Sequence, residues 1–252
     1  MTVALAAGAR LLARDRGRRA RSRPARAANS TLVSIVAHEI RAPLAAIRGA
    51  IGLLVEHGAT LEPDRRSELL TVALDATKQL GHLTDDLLLV SRISGGRLRV
   101  ENSVFDIVGV VGDAASAEIV HPTCVVEQSD MPYARGDALR VRQVVTNLLS
   151  NAVANAAEAS VVLLCVTKHA DDVRVTVFNE GRGIPPEEQP RLFLPFASLS
   201  ERRVDSTGLG LYIAKELVEA MNGRIGFDTL PGRGAAFWFT LKAASPDKHL
   251  TG

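Results

Sequence analysis

One histidine in this sequence stands in a setting that suits nucleophilic chemistry. His38 is followed directly by Glu39, and Pro43 lies a little more than one helical turn further on. Neutral imidazole is a competent nucleophile near neutral pH, and a neighbouring carboxylate can orient or accept its other ring proton. A lone surface histidine is usually inert, but a proline within a helix removes a backbone hydrogen bond and bends the helix, which calls for a reason. The segment predicts a nucleophilic histidine on a bent helix.

A second set of polar residues repeats at four-residue spacing. Asp137 can cap a helix, and Gln143, Asn147, Asn151 and Asn155 then form one polar stripe opposite its apolar face. Asparagine is a mediocre helix former, so its repetition favours a functional role over a merely solvated face. Amide oxygens are hard ligands suited to Mg²⁺, which keeps several waters and binds phosphate oxygens.

Two glycine-rich segments follow the stripe. Residues 179–185 (NEGRGIP) end a predicted strand, where glycines let the backbone approach a flat ligand and a polar side chain can contact its edge. Residues 206–211 (STGLGL) lead into a predicted helix, whose N-terminal N–H groups suit a phosphate. Neither is the dinucleotide-binding G-x-G-x-x-G pattern, but their order after an asparagine-bearing helix is much more specific than either alone.

The elements that carry these residues change in type near residue 104. Before it, two apolar ladders with alternating steps of four and three residues predict an antiparallel helical hairpin, and two such hairpins would pair into a four-helix bundle. After it, strands alternate with helices, which predicts a sheet with helices packed on one face. The first ladder comprises Val33, Ala37, Ile40, Leu44, Ile47, Ile51 and Leu54, and the second Leu69, Ala73, Ala76, Leu80, Leu83, Leu87 and Val90. The later predicted elements are strands Ser160–Lys168, Val173–Asn179, Arg224–Thr229 and Ala235–Lys242 and the helix Ala214–Met221.

Composition limits the class of protein. The chain has 252 residues, of which 46% are apolar and 23% charged, as in a globular protein. Its net charge of +2 conceals two unlike parts, because residues 1–29 carry eight arginines and one acid (+7) while the remainder carries 22 basic and 27 acidic residues (−5). The acidic body excludes a general nucleic-acid-binding protein. Cys124 and Cys165 lack the spacing of a zinc or redox motif and are expected to be reduced thiols.

The basic leader, residues 1–29, has about a dozen apolar residues before its arginine cluster. A membrane-spanning helix needs about 20, and a secretory signal places basic residues before the apolar stretch. No complete sensor or membrane span is therefore expected here. We expect either a disordered arm, or an arm or the cytoplasmic end of a truncated membrane segment that is held to anionic lipid, with nucleic-acid contact the least favoured interpretation.

Five segments in order resemble the transmitter of bacterial sensor histidine kinases over residues 31–243. The H box matches at 38–44, the N box at 147–152, the first glycine box at 179–184, the phenylalanine box at Phe193 and Phe196, and the second glycine box at 206–211. The resemblance implies an α+β protein with a dimerisation and phosphoacceptor hairpin (30–100) forming a dimeric four-helix bundle, then an α/β sandwich ATP-binding domain of the gyrase and chaperone type (104–243), with a leader or linker (1–29) and a tail (244–252).

The resemblance also implies roles for individual residues. His38 would attack the γ-phosphoryl group of ATP with Glu39 as base or orienting group, and Asn151 would ligate Mg²⁺. Further binding residues would be Asn147, Asn155, Asn179, Gly181, Gly183, Thr207, Gly208, Leu209, Gly210 and Leu211, with Asn179 on the adenine amine and a lid at about 197–207. Phosphohistidine would then pass the group to an aspartate of a response-regulator receiver domain. We expect a cytoplasmic homodimer, with membrane association through the leader as an option.

Three positions depart from the family pattern. Ala42 replaces the Thr or Asn that positions water for dephosphorylation of the regulator, which predicts weak phosphatase activity. Asn179 replaces the usual Asp, which predicts looser ATP binding because the hydrogen bond loses its charge. Ala154 replaces a lysine, for which Arg202 or Arg203 could substitute. The alternative to an active kinase is a weakened ATP-binding dimer that serves as a scaffold or phosphorelay partner.

Overall fold

The structure, a computed structural model, describes residues 36–117, 123–128, 133–157, 160–197, 208–230 and 232–245. The chain divides into two compact units, Met1–Leu83 and Thr84–Gly252. The basic leader, Val33 of the first ladder, Thr207, Arg202 and Arg203 lie outside the described residues. No helix among the described residues is long and apolar enough to cross a bilayer.

The first unit contains a helical hairpin. Helix α1 covers residues 36–57 of the described chain and α2 covers Pro63–Ser94, so that α2 continues into the second unit. The connection between them is short, and the N–H of Gly58 closes α1 with a 2.9 Å hydrogen bond to the oxygen of Leu54. The predicted hairpin is therefore confirmed.

Burial within the hairpin differs between its two ladders. In α2, Leu69, Ala76 and Leu83 of the second ladder are 6%, 7% and 2% exposed. In α1 the buried residues are Pro43 and Ala50. Much of the first ladder instead remains open, with Ile40, Leu44 and Ile51 exposed by 38%, 55% and 49%. One hairpin thus covers only part of the apolar surface that its sequence supplies.

The second unit is an α/β sandwich built on a five-stranded sheet in the order β2-β4-β5-β7-β6. Strand β2 runs parallel to β4, and the other neighbouring strands are antiparallel. A separate antiparallel pair joins β1 to β3. The elements are β1 (Ser103–Asp106), α3 (Ile107–Ala117), β2 (Thr123–Gln128), β3 (Tyr133–Gly136), α4 (Ala138–Asn155), β4 (Val162–His169), β5 (Asp172–Asn179), a 3₁₀ turn (Gln189–Arg191), α5 (Gly210–Ala220), β6 (Arg224–Leu230) and β7 (Gly234–Lys242).

The helices cover one face of this sheet. Along β5, Val173, Val175 and Val177 are fully buried, while Arg174 and Thr176 between them are half-buried on the other face. Helices α4 and α5 contribute the opposing layer, and their apolar residues, Leu148 and Ile213 among them, are fully buried. The predicted α+β class, a hairpin followed by an α/β sandwich, is confirmed. The sequence prediction lacked β1, α3, β2 and β3, and it began α5 at Ala214 instead of Gly210.

Candidate functional site

His38 lies on α1 with its imidazole largely in solvent. Its side chain is 77% exposed, whereas that of Glu39 is 28% exposed. The nearest carboxylate oxygen, Glu39 Oε1, lies 3.9 Å from His38 Nδ1, beyond the reach of a direct hydrogen bond. The carboxylate therefore flanks the Nδ1 side of the ring, and Nε2 is the nitrogen on the side away from it. This geometry suits an accessible nucleophile beside a group that can orient it or take its proton.

Helix α4 carries the asparagine stripe from a well-defined start. The carboxylate of Asp137 caps the helix by accepting the N–H of Arg140 at 3.1 Å, and it also accepts the N–H of Glu101 at 3.1 Å. The N–H of Asp137 contacts Met221 Sδ at 3.4 Å at the end of α5. Such capping fixes where the helix begins and so fixes the direction in which its side chains project.

Asn151 and Asn155 contact each other at the C-terminal end of α4. Asn155 Nδ2 donates to Asn151 Oδ1 at 3.2 Å and to the backbone oxygen of Asn151 at 2.6 Å, so the Asn151 amide is oriented. An amide oxygen has two lone pairs and hard character, which suits Mg²⁺ with its phosphate and water ligands. Among the described residues no cluster of three or more His, Cys, Asp or Glu could hold a metal. The ligand atoms present therefore fit a metal ion that is held by one amide oxygen of the protein and by the phosphates of a substrate.

Asn179 ends β5 and is almost completely buried, with 3% exposure. Its Nδ2 donates to the backbone oxygen of Glu180 at 3.2 Å, which leaves the amide oxygen as the acceptor for another group. The neighbouring Gly181 packs against the end of α4, because a Cβ there would lie 2.7 Å from the oxygen of Asn155. A side chain at this glycine would push the loop away from the helix.

One small cavity brings the predicted residues of α4 and β5 together. Asn151, Asn155, Asn179 and Gly183 all line it. Its remaining lining residues, to which the sequence assigned no individual role, are Arg182, Ile184, Glu188, Leu192, Ala235 and Phe237. Arg182 Nη2 contacts both carboxylate oxygens of Glu188, at 3.1 and 3.0 Å, and this ion pair forms part of the wall.

Asn147 makes a contact that its neighbours in the stripe do not share. Its Nδ2 donates a 3.0 Å hydrogen bond to the backbone oxygen of Gly210, the first residue of α5. Gly208 has a φ of +63°, and a Cβ there would lie 3.0 Å from the backbone of Phe196. Leu209 is fully buried and Leu211 half-buried. The N-terminal turn of α5 is therefore anchored to α4, while Thr207 lies outside the described residues.

The phenylalanine segment packs beneath the cavity. The ring of Phe193 lies 6.3 Å from that of Phe227 and 6.5 Å from that of Phe237, centre to centre. Phe237 is 3% exposed and lines the cavity, so the cluster supports its apolar floor.

On α5, burial raises the pKa of Tyr212, and the neighbouring Glu216 carboxylate raises it further. The Tyr212 phenol is therefore harder to ionise than an ordinary tyrosine phenol, which is itself protonated near neutral pH.

Comparison with known protein families assigns both units. The family model described as His Kinase A (phospho-acceptor) domain matches residues 28–96. The model described as histidine kinase-, DNA gyrase B-, and HSP90-like ATPase matches residues 136–245. The first match contains His38, and the second contains every described residue of the cavity.

Curated relatives match most of this chain. The chain is 34% identical over 229 residues to Sensor protein GacS of Pseudomonas syringae pv. syringae, covering 84% of this chain and 25% of that protein. It is 34% identical over 241 residues to Sensory/regulatory protein RpfC of Xanthomonas campestris pv. campestris, covering 88% of this chain and 32% of that protein. The chain thus spans about a quarter to a third of the length of these relatives.

Solved structures resemble the fold. Full-length ShkA in complex with AMPPNP is 28% identical with a TM-score of 0.60, and the similarity covers 86% of this chain and 47% of that one. Histidine kinase ThkA in complex with response regulator protein TrrA is 23% identical with a TM-score of 0.62, over 85% of this chain and 61% of that one.

Proposed function

Because this chain belongs to the sensor histidine kinase family, we propose that it uses ATP to phosphorylate its own His38 and then transfers the phosphoryl group to an aspartate of a response regulator. The observation that carries the proposal is the cavity that Asn151, Asn155, Asn179 and Gly183 line together. These residues come from two elements that are distant in sequence, and the exposed His38 supplies a nucleophile.

The chemistry at the histidine needs one nucleophilic nitrogen and one proton acceptor. His38 Nε2 would form a bond to the γ-phosphorus while the bond from that phosphorus to the β,γ-bridging oxygen breaks, and ADP leaves. Glu39, close to Nδ1, would orient the ring and stabilise the positive charge that develops on it or take up its proton. The receiver aspartate would then take the phosphoryl group from the phosphohistidine and restore neutral His38.

The residues that line the cavity would contact the nucleotide, with its base at the β5 end. The amide oxygen of Asn179 would accept a hydrogen bond from the adenine amine. Gly181 and Gly183, which carry no side chain, would let the loop backbone approach the base. Asn151, oriented by Asn155, would provide the protein's oxygen ligand to Mg²⁺, and Asn147 would support the triphosphate side through α5. Magnesium, when bound, supplies charge neutralisation of the phosphates. Thr207, Gly208, Leu209, Gly210 and Leu211 would contribute backbone N–H groups at the phosphates.

The hairpin would join two copies of the chain. Ile40, Leu44 and Ile51 are exposed on α1, together with Leu70 and Leu74 on α2. Apolar side chains in such number favour burial against a second hairpin, since two helices alone cover one side of each other. We place this homodimer within residues 30–100. The regulator would dock on the same hairpin near His38, where the phosphoryl group would be carried. A histidine kinase with a similar fold, ThkA, has been solved in complex with response regulator protein TrrA.

The remaining segments complete the proposed organisation. The ATP-binding domain would span residues 104–243, followed by a tail at 244–252. For the leader at 1–29, a disordered arm in the cytoplasm and an arm on an anionic membrane are the two alternatives. Binding of the chain to anionic vesicles, with and without residues 1–29, separates them.

The test of the function is incubation with γ-labelled ATP and Mg²⁺. We expect acid-labile, base-stable label on wild-type protein and none on His38→Ala, while His57→Ala labels normally as the matched control. His57 is also an exposed histidine beside a glutamate, Glu56, on α1. Label that survives His38→Ala would disprove the assignment of the acceptor. ATP binding without any label would favour the scaffold alternative.

A further inference from the structure

Ile184 is held in the cavity wall by side chains from two other segments. It follows Gly183, whose φ of +75° turns the loop, and is 9% exposed. Its N–H donates to Thr229 Oγ1 at 2.8 Å, and its backbone oxygen accepts from Gln189 Nε2 at 3.0 Å. Both backbone polar groups of this buried residue are therefore satisfied from outside its own loop.

Thr229 makes the more specific of the two contacts. It lies near the end of β6, where its hydroxyl accepts the Ile184 N–H and donates to the backbone oxygen of Gly234 at 3.4 Å. A hydroxyl can perform both functions at once because it has one proton and two lone pairs. A second link runs parallel to it, from the N–H of Gly232 to the oxygen of Arg182 at 3.0 Å. The β6–β7 hairpin is thus joined to the glycine loop, residues 180–184, by two hydrogen bonds.

External links matter for this loop because its glycines favour many conformations. Gly181 and Gly183 are needed for close packing and for the turn, but each lowers the rigidity of the segment. A loop that must be ordered when a ligand binds costs affinity, whereas a loop already held in its bound shape does not. The hydroxyl of Thr229 removes part of that cost before any nucleotide arrives.

We infer that Thr229 is a positioning residue of the nucleotide site, whose hydroxyl holds Ile184 as the apolar wall against which the base of ATP packs. This rests on the proposed function, since it takes the cavity to be the nucleotide site. Gln189 also helps to hold Ile184, because its side-chain amide donates to the backbone oxygen of Ile184. Thr229 acts through Ile184 and has no place in the phosphoryl transfer itself.

The test compares Thr229→Val, which keeps the branched shape and removes the hydroxyl, with Thr229→Ser, which keeps the hydroxyl. We expect Thr229→Val to raise the KM for ATP and the Kd for ADP about fivefold, as the loss of one neutral hydrogen bond does, with kcat changed less than twofold. Thr229→Ser should restore both constants to within about twofold of wild type. The matched control is Thr176→Val, on β5 of the same sheet, because the hydroxyl of Thr176 makes no hydrogen bond to the described part of the chain.

Three results would overturn the inference. They are an unchanged ADP affinity in Thr229→Val, an equal weakening in Thr176→Val, and a loss of kcat at constant KM. If Thr229→Val does not fold, Gln189→Leu removes the opposite link outside the sheet, and its ADP affinity must fall for the inference to stand. Wild-type protein that binds neither ADP nor ATP would instead disprove the proposed function, which separates the two failures.

Discussion

The side-chain amide of Asn147 donates a 3.0 Å hydrogen bond to the backbone oxygen of Gly210, and this bond joins the asparagine helix α4 to the first residue of α5. Its effect is to fix the N-terminal turn of α5 against α4. Asn147 therefore differs from Asn151 and Asn155, which line the cavity directly. Within one polar stripe, Asn147 therefore holds α5 in place, whereas Asn151 and Asn155 face the cavity.

Replacing Asn147 by leucine should loosen the start of α5 in the protein without nucleotide. Leucine keeps the size of the side chain but cannot donate to Gly210. We expect faster hydrogen exchange over residues 208–214 and about a fivefold weaker affinity for ADP, as expected for one lost hydrogen bond. Exchange is measured by mass spectrometry and affinity by titration.

Ser150→Ala provides the control for this variant, since Ser150 is exposed on the same helix. It should change neither quantity. If Asn147 instead served only by touching the nucleotide, exchange in the free Asn147→Leu protein would match that of wild type, and the anchoring role would be rejected.

Removal of Mg²⁺ should weaken ATP binding only when Asn151 is present. Wild-type protein is expected to lose affinity in EDTA, because Asn151 would hold the ion, whose charge would neutralise the phosphates. Asn151→Ala should bind ATP equally with and without Mg²⁺. In Asn155→Ala the Asn151 amide is no longer oriented by a hydrogen bond, so the gain in ATP affinity on adding Mg²⁺ should be roughly tenfold smaller than in wild type. The measurement is ATP titration at fixed ionic strength. A full Mg²⁺ response in Asn151→Ala would remove this residue from the metal site.

The sequence was most informative where one local pattern decides the structure. Alternation of Val173, Val175 and Val177 predicted β5, and Asp137 with the apolar period predicted α4. Helix α3 was missed because Gly109 and Gly112 are poor helix formers, although Asp106 caps it by accepting the N–H groups of Val108 and Gly109. That cap is a signal in the sequence that could have been used.

The part of the site that sequence reasoning missed depends on contacts between distant segments. Thr229 reaches Ile184 only because β6 pairs with β7 in a register that sets Thr229 opposite Ala235. The alternation of residues along one strand does not indicate which residue of another segment its side chains will contact. In the hairpin, the ladder through Leu44 and Ile51 predicted apolar surface correctly, but burial in a single chain could not indicate what covers it.

The alanine at position 42 should limit the removal of phosphate from the regulator. Ala42 is exposed on α1 four residues after His38, about one helical turn away. A threonine hydroxyl there could hold a water near the phosphoaspartate, so Ala42→Thr is expected to raise phosphatase activity on the order of tenfold. The assay follows loss of label from purified phospho-regulator.

Ala46→Thr is the matched control for that change, because Ala46 is exposed one further turn along α1. It should leave the phosphatase rate unchanged, and both variants should label His38 at about the wild-type rate. Rapid dephosphorylation of the phospho-regulator by the wild-type protein would contradict the prediction that Ala42 limits phosphatase activity.

The carboxylate of Asp172 should make the stability of the ATP-binding domain depend on pH. Lys242 lies 2.7 Å and Arg224 3.3 Å from this carboxylate, whose side chain is 12% exposed. Its hydrogen bond to Lys242, aided by Arg224 and against the effect of burial, holds the pKa of Asp172 below its ordinary value of 3.8. Because the folded pKa is depressed, the stabilisation is complete above the unfolded value and is lost as the pH falls through the folded value.

Asp172→Asn should therefore cost about 1–3 kcal/mol of unfolding free energy at pH 7. The difference from wild type should shrink as the pH falls below about 4, where the wild-type carboxylate takes up its proton. Urea unfolding at several pH values measures it. Asp228→Asn is the control, because Asp228 is 69% exposed in its pair with Arg174, and exposed pairs contribute little. A constant difference between Asp172→Asn and wild type from pH 7 to pH 3 would show that shape, and not charge, is what the Asp172 side chain contributes.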